Sequence, residues 1–213
     1  EHEGEEVKIK GDKVLVAAGR TAEPNLENLG LENTDINWEE GFIEHDNRMQ
    51  TSDENIYVVG DAAGQPLLAH KAYREGKVVG DIAAGEKAAF DNQYIPKVIY
   101  TDPEVGVVGM NEEEAKEKYD EVKIGRFEMS ASGRSLTTNQ EDGFVKVIGS
   151  PKGKLLGAQI VAPRASDMIA EATLALEMQG YLKDIANTIH AHPTFPEALG
   201  EACEDALNES IHN

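Results

Sequence analysis

The residues best suited to chemistry lie near the C-terminal end, in the segment His190-Ala191-His192-Pro193. Glu197 follows His192 by five residues, at the start of a predicted helix. A carboxylate that accepts a hydrogen bond from one imidazole nitrogen fixes the tautomer and raises the basicity of the other nitrogen. This is the arrangement that a general base for thiol protons near neutral pH would need. Two other interpretations stay open: His192 is a structural residue in a turn, or His190, His192 and Glu197 bind zinc or copper.

A second candidate is Gly60-Asp61, at the end of a predicted strand. A carboxylate at the carboxyl end of a buried strand, beside a glycine that permits close approach, is well placed to bind a sugar or ribityl hydroxyl. The helix that follows begins near Leu68-Ala69-His70, where unpaired backbone N–H groups attract an electron-rich atom. The alternative is that Asp61 only caps a turn and Gly60 only relieves crowding.

Two further residues have weaker signals. Arg20 either positions a phosphate or a carboxylate, or forms a surface salt bridge. Cys203 is the only cysteine and lies at an inward position of a predicted helix, so we expect a small buried apolar side chain. A single thiol excludes an internal disulphide, a cysteine-rich zinc site and a two-thiol redox centre within this sequence.

The elements that must position Gly60 and Asp61 come first along the chain. Alternating residues predict a half-exposed strand over 6–10, and a continuous apolar run predicts a buried strand over 13–17. A short exposed strand is predicted at 42–44 and another strand at 55–61. Helical spacing over 68–84 places Leu68, Ala72, Val79 and Ile82 on related faces.

From residue 95 onward the pattern changes to strands and helices that suggest an α+β domain with an antiparallel sheet. A Pro-Lys-Gly turn at 151–153 predicts a hairpin, and Asn111 is a predicted helix N-cap. The predicted strands are 98–100, 122–129, 143–148 and 155–161, and the closing helices are 165–179 and 196–210.

Composition limits the classes of function. The net charge of −20, from 40 acidic and 20 basic residues, argues against nucleic-acid binding because a polyphosphate would be repelled. Such acidity serves solubility or reflects a salt-rich cytoplasm. No run approaches the roughly 18 apolar residues of a membrane span, and the charged N-terminal residues do not resemble a secretory signal. We therefore expect a cytoplasmic protein with no membrane partner.

Five segments together carry a resemblance to a known family. In order and spacing, residues 14–20, 51–61, 68–72, 95–104 and 192–197 resemble the pyridine nucleotide-disulphide oxidoreductases. Within that family the Leu-Ala-His-Lys-Ala segment is most similar to the dihydrolipoamide dehydrogenases. Glutathione reductases are less similar there, and mercuric reductases would be expected to end in a cysteine pair that this sequence lacks.

The resemblance implies a binding site for FAD. Asp61 would bind hydroxyls of the flavin's ribityl or pyrophosphate side, and Gly60 would allow that approach. The backbone at Leu68, Ala69 and His70 would face the isoalloxazine, where the helix dipole favours negative charge on the reduced ring.

The resemblance also implies a reaction and an assembly. His192, held by Glu197, would be the acid–base group for a dithiol substrate and would act on the flavin and disulphide of the other subunit of a homodimer. The family's His-Pro bond is typically cis, so a cis His192-Pro193 bond is expected. Electrons would pass from a dihydrolipoyl group, borne by a protein of a 2-oxo acid dehydrogenase or glycine cleavage complex, through a disulphide and FAD to NAD.

Several family features are missing from this sequence. It has no Gly-x-Gly-x-x-Gly and no Cys-x4-Cys, so the isolated chain is predicted to be inactive. We expect the end of an NAD-binding domain at 1–24, part of an incomplete FAD-binding α/β region at 25–93 and a dimerisation domain at 94–213. Residues 25–92 are expected to be loosely ordered without the remaining part of that region. Two alternatives stay open: another FAD-dependent disulphide reductase, or a non-catalytic homodimeric interaction module.

Overall fold

Residues 1–91 and residues 92–213 form two units in the computed structural model, which describes residues 8, 10–20, 26 and 28–212. The first unit has a small antiparallel hairpin of strands Trp38–Glu39 (β1) and Phe42–Ile43 (β2). Short 3-10 turns occur at Leu31–Asn33 and Gly60–Ala63, and one helix, α1, spans Ala69–Ala83. Its buried apolar cluster is Leu26, Leu31, Ile36, Ile43 and Val58.

The predicted buried strand over 13–17 is wrong. These residues form no strand, and Val14, Leu15 and Val16 are 88%, 91% and 81% exposed. A strand needs a neighbour to receive its backbone hydrogen bonds, and no strand among the described residues pairs with this run. The predicted strand over 6–10 falls largely outside the described residues.

The predicted strand over 55–61 is reduced to one isolated bridge between Gln50 and Tyr57. Val59 is 40% exposed, and the chain then enters the 3-10 turn that begins at Gly60. The physical reason is the same: apolar character makes a strand only where a partner strand is in reach.

Helix α1 confirms the helix predicted over 68–84, but its most buried face differs from the predicted one. Leu68, Ala72, Val79 and Ile82 are only half-buried. The most buried residues are Lys71, Glu75 and Val78. Hydrophobic spacing missed this face because two of its three residues are charged.

The second unit is built on a five-stranded antiparallel sheet, which confirms the predicted fold class. The strands are Lys97–Ile99 (β3), Glu104–Gly109 (β4), Lys123–Glu128 (β5), Phe144–Gly149 (β6) and Leu155–Ala162 (β7). Their order in the sheet is β3-β4-β7-β6-β5. The predicted hairpin at 151–153 joins β6 to β7, whereas strand β4 was not predicted.

The helices described in the second unit are Glu112–Lys118 (α2), Gly133–Thr138 (α3), Ala165–Glu177 (α4), Leu182–Ala186 (α5) and Glu197–Leu207 (α6). Of these, α4 and α6 pack on the sheet, and α5 packs on α6. Asn111 caps α2 as predicted: its side chain accepts a hydrogen bond from the backbone of Glu114, whose carboxylate accepts one from the Asn111 N–H. The two closing helices match the predicted ones within three residues at each end.

One glycine sets how closely α6 approaches the sheet. A Cβ on Gly125 of β5 would lie 1.9 Å from the Ala202 carbonyl oxygen and 2.4 Å from the Ala206 nitrogen, so only glycine permits this contact. Ala202, Cys203 and Ala206 lie buried in the main core beside it, as predicted for the inward face of this helix. The sheet thereby fixes the helix that begins with Glu197.

Candidate functional site

His192 and Glu197 form the hydrogen-bonded pair predicted from their spacing. Nδ1 of His192 lies 2.8 Å from Oε1 of Glu197, while Oε2 of Glu197 accepts a hydrogen bond from the Thr194 N–H at 2.6 Å. Glu197 is the first residue of α6, and Phe195 packs into the main core. The carboxylate is therefore fixed on both oxygens, and the ring it holds has its second nitrogen, Nε2, available for proton exchange.

The exposure of this ring is compatible with chemistry on an external group. The His192 side chain is 76% exposed, whereas the Glu197 side chain is 28% exposed. The His192-Pro193 bond is cis, as expected. The ring is therefore not enclosed in the core, although a structural histidine in a surface turn would be equally exposed.

His190 has a different environment although it lies only two residues away. Its side chain is 12% exposed, and Nε2 lies 2.8 Å from Oε1 of Glu171 on α4. Its ring contacts Gly200 of α6, where an added Cβ would lie 3.3 Å away. The hydrogen bond to Glu171 raises the pKa of His190 above its ordinary value. His190 thus anchors the 190–196 turn between two helices.

The metal interpretation gains no support from this geometry. The two imidazoles bind two different carboxylates, Glu171 and Glu197. Within the part of the chain that the structure describes, no group of three or more histidine, cysteine, aspartate or glutamate side chains is arranged to hold a metal ion.

A cavity of about 120 Å³ adjoins His192 and Glu197. It is also lined by Glu201 and His212, whose Oε1 and Nδ1 atoms lie 2.6 Å apart. That hydrogen bond raises the pKa of His212. Sequence reasoning missed this second imidazole–carboxylate pair; the spacing of Glu197 and Glu201, one helical turn apart, was the available signal, but nothing local marks His212.

Asp61 lies in the first unit, in the turn after Gly60. Its Oδ2 atom is 2.8 Å from a guanidinium nitrogen of Arg20, and the two side chains are 34% and 77% exposed. The structure therefore realises the salt bridge considered for Arg20 and keeps the carboxylate accessible. Gly60 has φ 78°, a conformation that glycine adopts readily, and a Cβ there would lie 3.4 Å from that of Ala72.

The N-terminal end of α1 has the properties expected of a surface for an electron-rich group. Leu68, the N-cap residue, gives no side-chain cap, and the first turn contains no acidic residue. Ala69 and His70 are exposed. The positive end of the helix dipole is thus not neutralised by a carboxylate of its own first turn.

A buried ion pair behind this turn was not predicted. Lys71 and Glu75 of α1 lie 2.8 Å apart, with side chains 6% and 2% exposed. Opposite charges at i and i+4 were the available signal, but such pairs normally lie on solvated faces. Cys203, in contrast, is buried as predicted, and burial raises the pKa of its thiol.

Comparisons with known proteins agree on one family. Residues 95–203 match the family described as pyridine nucleotide-disulphide oxidoreductase, dimerisation domain, and residues 1–76 match pyridine nucleotide-disulphide oxidoreductase. As for membranes, the described helices are all too short or too polar to cross one.

Two curated relatives are both named dihydrolipoyl dehydrogenase. The dihydrolipoyl dehydrogenase of Halobacterium salinarum is 46% identical over 216 residues, which covers 100% of this chain and 45% of the relative. That of Thermus scotoductus is 48% identical over 211 residues, covering 98% of this chain and 45% of the relative. Among solved structures, the HOCl-induced flavoprotein disulfide reductase RclA from Escherichia coli has a TM-score of 0.81 at 26% identity, over 88% of this chain and 44% of that one. This chain therefore spans about 45% of the length of the curated relatives it matches.

Proposed function

We infer the function from family membership: the chain belongs to the pyridine nucleotide-disulphide oxidoreductase family. Members of this family, the dihydrolipoyl dehydrogenases among them, use FAD and NAD. We propose that the chain is the C-terminal part of a dihydrolipoyl dehydrogenase. The whole protein would oxidise a protein-bound dihydrolipoyl group through an active-site disulphide and FAD to NAD.

The observation that carries this proposal is the exposed His192 ring held by Glu197. A dihydrolipoyl dithiol loses two electrons and two protons when it becomes a disulphide, so the reaction needs a group that removes a proton from a thiol. Nε2 of His192 would accept that proton, and the thiolate so formed is the nucleophile. Glu197, held in turn by the Thr194 N–H, would stabilise the imidazolium. His192 would then release one proton to solvent, and the second proton would leave with the electron pair, since NAD takes up two electrons and one proton.

The first unit contains the residues that would bind the FAD cofactor. Asp61 would bind hydroxyls of FAD, and the backbone of Leu68, Ala69 and His70 would lie against its electron-rich ring edge. Two observations favour this fit: the accessible Asp61 carboxylate, and a helix N-terminal turn without an acid. FAD and NAD, when bound, supply the two successive acceptors of the electron pair.

The assembly follows from the same assignment. Within a homodimer, His192 of one subunit would serve the disulphide and flavin of the other. The substrate would be the lipoyl-bearing protein of a 2-oxo acid dehydrogenase or glycine cleavage complex, and the cell compartment would be the cytoplasm. On these grounds the domains are proposed as 1–24, 25–93 and 94–213, with the last one forming the dimer.

The test is a pair of substitutions in the full-length protein. We expect His192→Gln to lower the rate of dihydrolipoamide oxidation by about 10²- to 10⁴-fold, the usual contribution of a general acid–base group. Glu197→Gln is expected to give a smaller loss, because the ring remains but its imidazolium is less stabilised. His212→Gln is the matched control, since that ring lines the same cavity and also pairs with a glutamate. Flavin absorbance should be unchanged in all three variants.

A particular result would contradict the proposal. If His192→Gln kept the wild-type rate and its pH profile, as the control His212→Gln is expected to do, His192 would not be the base. If the wild-type full-length protein bound no FAD, the chain would instead be the interaction module.

One observation favours a second enzymatic candidate. The fold similarity to RclA supports another FAD-dependent disulphide reductase of the same family. Assays of the full-length protein with dihydrolipoamide and with glutathione disulphide separate the two. Turnover of glutathione disulphide alone would favour the second candidate.

A further inference from the structure

The Lys71–Glu75 pair binds the backbone of the turn that carries Asp61. Oε2 of Glu75 accepts a hydrogen bond from the Gly60 N–H at 2.7 Å. Nζ of Lys71 donates to the Gly60 carbonyl at 3.3 Å and to the Gly64 carbonyl at 3.0 Å. The pair therefore holds both ends of the Gly60–Ala63 turn, and Asp61 lies between those anchor points.

Both charges are enclosed. The Lys71 and Glu75 side chains are 6% and 2% exposed, and their charged atoms lie 2.8 Å apart. Burying an ion pair gains little stability over an apolar pair of similar size, because desolvation offsets the attraction. An apolar pair, however, could not bind the N–H and carbonyl groups of Gly60 and Gly64. The charged side chains therefore serve mainly to hold the backbone of the Gly60–Ala63 turn in its conformation.

The same helix supplies the other part of the proposed cofactor site. Lys71 and Glu75 lie on α1, which begins at Ala69 directly after Leu68. Helix α1 therefore provides the exposed backbone at its own N-terminal end and also holds the Gly60–Ala63 turn that carries Asp61. Any shift of α1 would move both together.

We propose that Lys71 and Glu75 are positioning residues for FAD: they fix the Asp61 carboxylate relative to the N-terminal end of α1. The inference rests on the proposed function, because it takes Asp61 and the α1 N-terminus as the groups that contact FAD. Neither Lys71 nor Glu75 contacts FAD in this proposal, and each acts through the backbone of the turn.

The experiment compares four variants of the full-length protein, each prepared without flavin and titrated with FAD by fluorescence quenching. Glu75→Gln is expected to weaken FAD binding by about ten- to a hundredfold, because the hydrogen bond from Gly60 loses its charge and the buried Lys71 loses its carboxylate partner. Lys71→Met/Glu75→Leu removes both charges and should restore thermal stability of the flavin-free protein while FAD binding stays weak. Lys71→Arg keeps the charge and should retain most of the affinity. Lys77→Met is the control, an exposed lysine of the same helix.

The visible circular dichroism of bound flavin is the second measurement, because a merely structural pair would leave it unchanged. We expect a changed flavin spectrum in the double variant and a wild-type spectrum in Lys77→Met. A double variant that binds FAD as tightly as the wild type, with the same spectrum, overturns the positioning role while the proposed function stands. If the wild-type protein itself binds no FAD, the proposed function fails and this inference fails with it.

Discussion

The two units of this chain differ in how completely they bury their own apolar residues. In residues 92–213, every strand of the sheet lies between residues 97 and 162, so each finds its neighbours within the same unit. The core of that unit runs from Val108 to Ala206 and includes eight fully buried residues with large side chains: Met129, Val145, Val147, Leu155, Ile160, Leu176, Leu182 and Leu199.

Residues 1–91 have much less internal structure. The two strands found among their described residues have two residues each, and Val14, Leu15 and Val16 are exposed. The best-connected part is the buried Lys71–Glu75 pair with the turn it holds. A continuous apolar sequence thus forms a core only where another part of the chain packs against it. The proposed acid–base residues therefore lie in the unit with the larger core, and the proposed FAD-binding residues lie in the unit with the smaller one.

The largest expected difference between the units is the loss in free energy of unfolding when a buried isoleucine of each unit is replaced by alanine. Ile160→Ala in β7 should lower the free energy of unfolding of residues 92–213 by about 2–5 kcal/mol, since the surrounding core cannot collapse around the cavity. Ile43→Ala in β2 should cost less than about 2 kcal/mol, because its cluster is small and can relax. Hydrogen exchange measured by mass spectrometry reports each unit separately in urea. Equal losses at the two positions would mean that the cores are equally well packed.

A smaller effect is expected from matched glycine-to-alanine changes. Gly125→Ala should destabilise the second unit by about 1–3 kcal/mol, because the new Cβ displaces α6 at Ala202 and Ala206. Gly76→Ala on α1 meets nothing within 4 Å and should stabilise that helix by about 0.5–1 kcal/mol. Thermal unfolding followed by circular dichroism tests both. A neutral Gly125→Ala would show that the contact between α6 and β5 adjusts freely.

The smallest expected effect is a pH dependence confined to the second unit. The pKa of His190 is raised by its hydrogen bond to Glu171, and Glu197 adds to the shift. A histidine with a raised folded-state pKa contributes stability that is complete below its ordinary value of about 6.5 and is lost as pH rises through the folded-state value. The free energy of unfolding should therefore fall by about 0.5–1 kcal/mol as pH rises above about 6.5, as for a partly exposed ion pair.

Glu171→Gln tests this pH dependence with little change of shape. Urea denaturation at a series of pH values from 6 to 9 should give a flatter curve for this variant than for the wild type. Glu113→Gln, at an exposed position of α2, removes the same charge elsewhere and should leave the slope unchanged. Parallel curves for the wild type and Glu171→Gln would exclude the His190–Glu171 pair as the cause.

The fold of residues 92–213 was largely predictable because its signals are local. The turn at 151–153 requires a hairpin, Asn111 with Glu114 makes a capping box, and Cys203 lies on a periodic apolar face. The elements missed there, such as β4 and α5, are short or rich in glycine. In the first unit the predicted strand over 13–17 failed because apolar spacing says nothing about whether a partner strand is present.

The local chemistry of the proposed site was predictable from the sequence: His192 with its carboxylate five residues later, and Gly60-Asp61 before a helix. The carboxylate partners of His190 and His212 came from the three-dimensional packing, since Glu171 reaches His190 across 19 positions and Glu201 meets His212 across 11. The packing also decided that Lys71 and Glu75 turn inward onto the backbone of Gly60. Local spacing is encoded by helix and turn geometry over a few residues, whereas contacts between distant residues depend on packing, which no short pattern specifies.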